Sequence, residues 1–301
     1  MDRLIIRRAA AADKPAVVEF CAKIWEGWDY LPRVWDRWLA DPDGAFLVAE
    51  LDGRPVGTDK ITVLSPGEVW LEGLRVDPDH HGRGIALAIN RKAMEVVASL
   101  KPRTVRFGTV SDNRASRHMG EKDGFRLIFQ CRRMVSEKLD GERPPEVAAE
   151  LTAGPGDLDV IMDYLESSES FRSTRGLFAW GWTFKEMGRD FIGQILTQHG
   201  ALLLRDGSRI AALALFLPQR HGPRFCLGFI DGGHQEMAEL ARRFRVVAGL
   251  RGAGEVFTIA PEPAVAALSG AGFRQEYPVE VVVYELSGER LKATMEKISR
   301  G

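Results

Sequence analysis

Cysteine is scarce in this sequence: 301 residues include three, Cys21, Cys131 and Cys226, all isolated and without Cys-x-x-Cys spacing. An odd number of scattered cysteines argues against a disulfide framework or a zinc knuckle and fits a reducing compartment. They read as small buried hydrophobes. Histidine is nearly as rare, six residues with no His-x-x-x-His or His-Glu-x-x-His pair, so no metal site is expected. Net charge is missing as well. Lys and Arg number 41 against 42 Asp and Glu, leaving −1, which gives no broad pull toward nucleic acid or an anionic membrane. No apolar run approaches the ~20 residues that span a bilayer, and the charges flanking the short apolar patch in Met1 to Arg8 do not suit a leader. A Gly-x-Ser-x-Gly nucleophile elbow is absent too. The expectation is a cytoplasmic protein.

What is present is ordinary for a globular chain, 45% hydrophobic and 28% charged residues, at a length of roughly two domains. One stretch organises the rest. From Val69 to Val76 the chain is apolar and β-prone, and Asp77-Pro78 stops it because proline removes a donor. His81-Gly82-Arg83-Gly84 follows, and Ile85, Leu87, Ile89, Met94 and Val97 mark an apolar-rich helix. Strand, glycine loop and helix start together make an anion site, because the unpaired amides of the first turn and the positive end of the helix dipole point into the loop. Gly-x-Gly alone connects many strands to helices for steric reasons. A dinucleotide-binding fold would add a third glycine in Gly-x-Gly-x-x-Gly, which is missing after Gly84.

The fragment His81-Gly82-Arg83-Gly84-Ile85-Ala86, preceded by Leu74-Arg75-Val76-Asp77-Pro78, resembles motif A of the GCN5-related N-acetyltransferase (GNAT) family. There an Arg/Gln-x-x-Gly-x-Gly/Ala loop binds the pyrophosphate of acetyl-CoA; His81 departs from the usual first residue. Asn113, Ser116, Glu121-Lys122 and Gly124-Phe125 are similar to the family's second cofactor segment. The resemblance implies that His81, Gly82, Arg83, Gly84, Ile85, Ala86 and Leu87 hold the diphosphate, mainly through backbone amides. Asn113 would contact the pantetheine or hold a splayed strand, with Ser116 near the diphosphate end. A bulge in the organising strand would let Leu74 or Arg75 donate an amide to the thioester carbonyl, with Val76 continuing along the pantetheine. Glu72, just before the bulge, takes the place of the family's amine-deprotonating glutamate. On alternation it shares a face with Trp70 and Leu74, and apolar neighbours would raise its pKa toward neutrality. Arg103 and Arg106, or Arg114 and Arg117, read either as solvated surface charges or, on the resemblance, as cations on the side of the CoA 3′-phosphate. One departure concerns the general acid: many members carry a tyrosine where this chain has Gly120, and His118 is the remaining candidate.

In chain order, Leu4 to Arg7 reads as a first strand, and Asp13 before Lys14-Pro15 as a helix start. Trp25, Trp28, Tyr30, Trp35 and Trp38 then fall within 14 residues. These rings either pack a short helix onto a sheet or wall an acceptor site, for which Trp25, Trp28 and Tyr30 are the candidates. Asp52-Gly53 signals a tight hairpin. Thr104 to Val110, after the crossover helix, should run parallel to the organising strand and splay from it to admit a ligand. Residues 139–153 have the charged, proline-containing composition of an exposed connection. Beyond them the order repeats: helices at 157–166 and 235–250, strands at 201–204, 210–217, 225–230, 256–259 and 279–286, and Gly272-Phe273 mirroring Gly124-Phe125. Ile230-Asp231-Gly232-Gly233-His234 stands where the copy would need its glycine loop.

The expected fold is therefore α/β, two tandem acyl-CoA N-acyltransferase domains, each a mixed, mostly antiparallel sheet with a splayed parallel strand pair flanked by helices. Residues 1–138 would form the acetyl-CoA domain, 139–153 a linker and 154–301 a degenerate copy. The expected activity is acetyl transfer from acetyl-CoA to a primary amine of a small molecule or peptide, by direct transfer in a ternary complex. No metal, nucleic acid or membrane partner is expected, and the chain would be a monomer or homodimer. Two rivals stay open: an aminoacyl-tRNA-dependent transferase on the same double fold, against which the near-neutral charge counts, and a non-catalytic acyl-CoA sensor, suggested by Gly120.

Overall fold

The computed structural model describes residues 3–27, 29–137, 152–219 and 224–300, with side chains to 296. They form two compact units that are not collinear with the chain. Residues up to 108, 114–127 and those from 284 onward make the first; residues 109–113 and those from 128 to 283 make the second.

The first unit runs β1 (Leu4–Arg8), α1 (Lys14–Cys21), α2 (Leu31–Leu39), β2 (Ala45–Leu51), β3 (Arg54–Ser65), β4 (Glu68–Val76), α3 (Ile85–Leu100), β5 (Thr104–Val110), α4 (Arg114–Lys122) and the start of β6 (Arg126–Glu137). Strands β1 to β4 pair antiparallel in order, with Asp52 and Gly53 both at positive φ in the hairpin turn. β5 joins β4 in parallel from Glu68↔Thr104 to Leu71↔Phe107. Just beyond, β4 carries an extra residue: Lys60 faces Glu72, but Thr58 faces Arg75. A bulge of this kind bends the strand and re-aims its side chains. Gly73 sits in it at φ 74°, and a Cβ there would lie 2.6 Å from the Trp38 ring. Trp35 and Trp38 are core residues on α2, meeting Phe46 of β2 edge-on at 4.8 and 5.3 Å. At ~25 cal/mol per Å² and ~150–250 Å² per ring, each such burial contributes roughly 4–6 kcal/mol of transfer free energy.

The second unit continues with α5 (Leu158–Ser167), α6 (Glu169–Ser173), the hairpin β7 (Leu177–Trp180) and β8 (Thr183–Glu186), α7 (Arg189–Thr197), β9 (Ala201–Asp206), β10 (Arg209–Pro218), β11 (Arg224–Gly232), α8 (His234–Leu250), β12 (Glu255–Ala260), α9 (Glu262–Gly270) and β13 (Arg274–Gln275). Its strands follow the order β6, β12, β11, β10, β9. Again one pair is parallel, β11 with β12 from Arg224↔Glu255 to Leu227↔Thr258. Again the central strand bulges just past it, since Leu215 faces Phe229 while Phe216 faces Leu227 and Gly228 is the extra residue. Helices α8 and α9 bury Leu240, Phe244 and Leu268 with Phe216 and Val256. Helices α5 and α7 bury Ile161, Leu165 and Ile195 with Leu203 and Leu215.

The chain ends with β14 (Val281–Ser287) and α10 (Gly288–Arg300). Although the sequence reading counts these residues with the second half, those from Tyr284 onward belong to the first unit. Arg106, 5% exposed, donates through Nη1 to Glu68 at 2.9 Å and through Nε to Glu285 at 2.8 Å. Gly288 N donates to Arg103 O at 2.8 Å, and Thr294 Oγ1 to Asp123 O at 2.9 Å. At the expected linker, residues 139–151 lie outside the described ones, and Thr152 bridges Leu202 of β9. Among the described residues no helix is long and apolar enough to cross a membrane, and no group of three His, Cys, Asp or Glu side chains is placed to hold a metal ion. Cys21, Cys131 and Cys226 are buried free thiols.

Candidate active site

Strand β4 ends on a pinned corner. Asp77 is buried and accepts from Asp79 N at 3.2 Å, with Lys23 3.4 Å away. His81 Nε2 donates to Val76 O at 3.1 Å, so this side chain folds back on the strand end. Gly82 and Gly84 follow at φ 77° and 75°, and no atom lies within 4 Å of a Cβ built on either. The first helical hydrogen bond of α3 runs from Ala88 N to Gly84 O at 3.0 Å; no side chain caps the helix and no acidic residue stands in its first turn. The amides of residues 85–87 therefore have no acceptor within the helix and point out of its end. Ile85 buries its side chain while Leu87 is 64% exposed. Both can serve an anion only through their amides, as can the half-buried Ala86. Arg83 is exposed on the loop.

The bulge decides what shares the face of Glu72. Alternation predicts Leu74; the extra residue places Arg75 there instead, because Glu72 and Arg75 oppose Lys60 and Thr58 on one side of β3. Thr58 Oγ1 donates to Gly73 O at 2.9 Å and fixes the bulge. The residue left out of the ladder at Gly73–Leu74 gives an amide that can face the gap beside β5. Glu72 is half-buried and accepts from Thr62 Oγ1 at 2.7 Å. Arg75 donates through Nε to Asp29 at 2.7 Å and through Nη1 to Leu74 O at 2.9 Å. Its guanidinium carbon lies 4.3 Å from the Trp25 ring centroid and 5.6 Å from that of Tyr30. Tyr30 in turn meets Trp38 edge-on at 5.9 Å. Burial raises the Tyr30 hydroxyl above its ordinary range, and the Glu72 charge adds to the rise. Burial also pushes the Cys21 thiol up to about 12, with Asp29 adding to it.

Trp25 is 58% exposed, unlike Trp35 and Trp38, and it and Glu26 adopt left-handed φ of 46° and 54°. Such conformations cost on the order of 1–3 kcal/mol each for non-glycine residues and concentrate at binding sites. Trp28 lies outside the described residues. Three acidic groups here escape the sequence reading. Asp29 also accepts from Leu31 N at 3.0 Å, a helix-entry role its position before Leu31-Pro32 suggests, but its pairing with Arg75 46 positions away has no local signal. Asp41 pairs with the buried Lys60. Asp59, 3% exposed, accepts from Lys60 N at 3.0 Å, and burial holds its carboxyl well above the usual range.

Gly120 has a steric reason. A Cβ there would lie 2.5 Å from the Phe107 ring, which stacks on Tyr284 at 5.0 Å between centroids, 6° from parallel. Tyr284 accepts from Arg117 Nε at 3.0 Å and donates to Glu121 at 2.8 Å. The ring space that a tyrosine at position 120 would enter is filled. His118 is exposed, turned away from the face that Gly120 lays on Phe107, and Ser116 is half-buried on α4. Asn113 belongs to the second unit, where its Nδ2 donates to Thr109 Oγ1 at 3.1 Å. Arg106 and Arg117 are engaged with Glu68, Glu285 and Tyr284, which corrects their reading as cations facing a 3′-phosphate.

The corresponding crossover in the second unit is closed. β11 passes into α8 through Gly232-Gly233, with no glycine loop, and a Cβ on Gly233 would overlap the carboxylate of Glu236 in the first turn. The Phe178 ring covers Gly228 at the bulge. Asp231 is held by Tyr164 OH at 2.8 Å and Ser170 N at 3.3 Å. The cavity between Gly228, Phe184 and Thr258 measures about 10 Å³, room for at most one water.

A family model, Acetyltransferase (GNAT) family, matches residues 16–125, the span from α1 through α4 that holds the loop and the bulge. Residues 16–125 belong to the GNAT acetyltransferase family. A histidine N-acetyltransferase of Oreochromis niloticus is 33% identical to this chain over 95 residues, 31% of this chain and 28% of that protein. One from Scomber australasicus is 28% identical over 131 residues, 43% of this chain and 36% of that protein. The match thus spans about a third of the length of these curated relatives. Among solved structures, a GCN5-related N-acetyltransferase from Sphaerobacter thermophilus aligns with 95% of this chain and 96% of its own at TM-score 0.67 and 17% identity. A tandem GNAT protein from the clavulanic acid biosynthesis pathway aligns over 95% and 99% at TM-score 0.58 and 17% identity. The GNAT fold accordingly extends beyond the segment the family model covers.

Proposed function

We propose that this chain is an acetyl-CoA-dependent N-acetyltransferase for a primary amine, with cofactor binding and chemistry in the GNAT segment. The observation that carries the reading is the loop at Gly82 and Gly84, two left-handed glycines open to solvent before an uncapped helix end. It suits a diphosphate, which the dipole and free amides of α3 stabilise. Acetyl-CoA supplies the activated acetyl group. The chain's part is alignment, an amide donor from the bulge at Leu74 or Arg75 for the carbonyl oxygen as charge develops, and Glu72 as the base that takes the amine proton directly or through water. With Gly120 packed under Phe107, α4 contributes no phenol, and the sulfur departs as thiolate. A thiol of ordinary pKa, ~8.5, tolerates this near neutrality. The closed crossover of the second unit supports a degenerate GNAT copy that takes no cofactor. Three buried free thiols fit a cytoplasmic setting.

This chain's similarity to histidine N-acetyltransferases makes histidine the first acceptor to try. Calorimetric titration of acetyl-CoA into the protein, followed by a thiol-release screen of amines, tests the reading. One equivalent should bind, and Glu72→Gln should lower kcat by ~10²–10⁴-fold while acetyl-CoA still binds. Absence of binding to the wild type would sink the proposal. Binding with no thiol release from any amine would favour an acyl-CoA sensor instead.

A further inference from the structure

The acceptor side of β4 presents a carboxylate and a guanidinium together. Glu72 and Arg75 are three positions apart, an odd spacing that regular alternation sends to opposite faces. The bulge at Gly73–Leu74 cancels the offset and brings both to the side of Trp38, Tyr30 and Trp25. Arg75 is held rigidly, stacked on Trp25, with Nε on Asp29 and Nη1 on Leu74 O. A guanidinium carries five N–H donors, more than its contacts with Asp29, Leu74 O and the Tyr30 hydroxyl use. A planar, stacked, pre-positioned guanidinium is suited to a carboxylate. The ring above it is an exposed rim, because Trp25 is 58% exposed and sits in a left-handed pair of non-glycine residues.

We propose that the acceptor is a free α-amino acid, its nitrogen beside Glu72, its carboxylate on Arg75 and its side chain against the Trp25 and Tyr30 rings. This deepens the N-acetyltransferase reading and rests on it. In the transfer, nitrogen forms a bond to the thioester carbonyl carbon, and the carbon–sulfur bond breaks with its electron pair going to sulfur. Two protons leave the ammonium nitrogen, one through Glu72 to water and one to solvent, and the departed thiolate takes one from solvent. Ammonium and thioester thus give an N-acetyl amino acid, a free thiol and one proton. A decarboxylated amine or a peptide N-terminus makes the same reaction possible but brings no carboxylate to the remaining donors of Arg75.

Thiol-release rates with matched pairs test this: histidine against histamine, phenylalanine against phenethylamine, tryptophan against tryptamine, and histidine against a histidyl dipeptide. Calorimetry with acetyl-CoA runs beside every protein. The wild type should favour the amino acid in kcat/KM by ~10- to 100-fold, the worth of a charge-assisted hydrogen bond. In Arg75→Gln the ratio should fall to about one, and Arg75→Lys should restore part of it. Because Arg75→Gln leaves Asp29 unpaired, the double variant Asp29→Asn, Arg75→Gln repeats the measurement with both charges gone, and retained acetyl-CoA binding certifies its fold. Equal rates for both members of each pair in the wild type overturn the amino-acid proposal and leave the acetyltransferase reading standing. Failure of the wild type to bind acetyl-CoA removes both.

Discussion

The two units build the same crossover and finish it differently. In each, a four-residue parallel register is followed by a one-residue bulge on the central strand, with an aromatic ring against the bulge glycine: Trp38 at Gly73, Phe178 at Gly228. The first then inserts Pro78 through Gly84 before its helix, while the second enters its helix directly from Gly233. The first leaves the helix amides open, and the second has Glu236 in the first turn with its carboxylate against Gly233. Bulge and splay are thus shared architecture, which packing alone can maintain. The loop length and the acidic residue in the first turn separate an open helix end from a closed one.

This contrast can be broken most violently at Phe178. Phe178→Ala should cost ~3–5 kcal/mol, read from the urea midpoint, and should still bind no second equivalent of acetyl-CoA; a second equivalent would mean that the ring alone closes that cleft. Gly84→Glu puts a carboxylate at the N-cap of α3, beside its open amides, and should weaken acetyl-CoA by ~100-fold, about 2.7 kcal/mol, whereas Gly233→Glu should leave the calorimetric affinity unchanged. A smaller effect is expected at Gly120→Ala, which must displace Phe107 and should cost ~1–3 kcal/mol of stability, with no change in acceptor preference.

The smallest effect concerns Asp59, whose carboxyl burial raises. The folded state holds its proton more tightly than the unfolded one, so stability is highest below the unfolded pKa and declines as pH rises toward the raised folded value. Asp59→Asn keeps the acceptor for Lys60 N and removes the ionisation. Its urea midpoint should exceed that of wild type at pH 8, and the difference should shrink toward pH 4. A constant difference across that range would show that Asp59 is not the titrating group.

Much of the frame was legible because its signals are local. Asp52-Gly53 made its hairpin, Pro78 ended its strand, Gly82 and Gly84 took left-handed backbone, and the helices at 85–100 and 234–250 formed where apolar periodicity placed them. The acceptor face was less legible. The resemblance places a bulge just after Glu72, but alternation carried across it unbroken predicts Leu74, and the extra residue at Gly73–Leu74 exchanges Leu74 for Arg75 beside Glu72. Asp29 could be read as a helix-entry residue but not as the partner of Arg75. Gly120 showed that a tyrosine was missing, while Phe107, thirteen positions earlier, held the steric reason. These features depend on which strands meet, a matter decided by long-range pairing.

Long-range pairing also sets a schedule. Because Tyr284, Glu285 and the residues after them complete the unit that begins at the N-terminus, the GNAT segment emerges from the ribosome well before the strand that covers Phe107 and meets Arg106. At ~5–20 residues per second the wait between residues 127 and 284 is roughly 8–30 s. Through that interval a nearly finished sheet exposes an unpaired edge to the cell, and the second unit is synthesised while it waits.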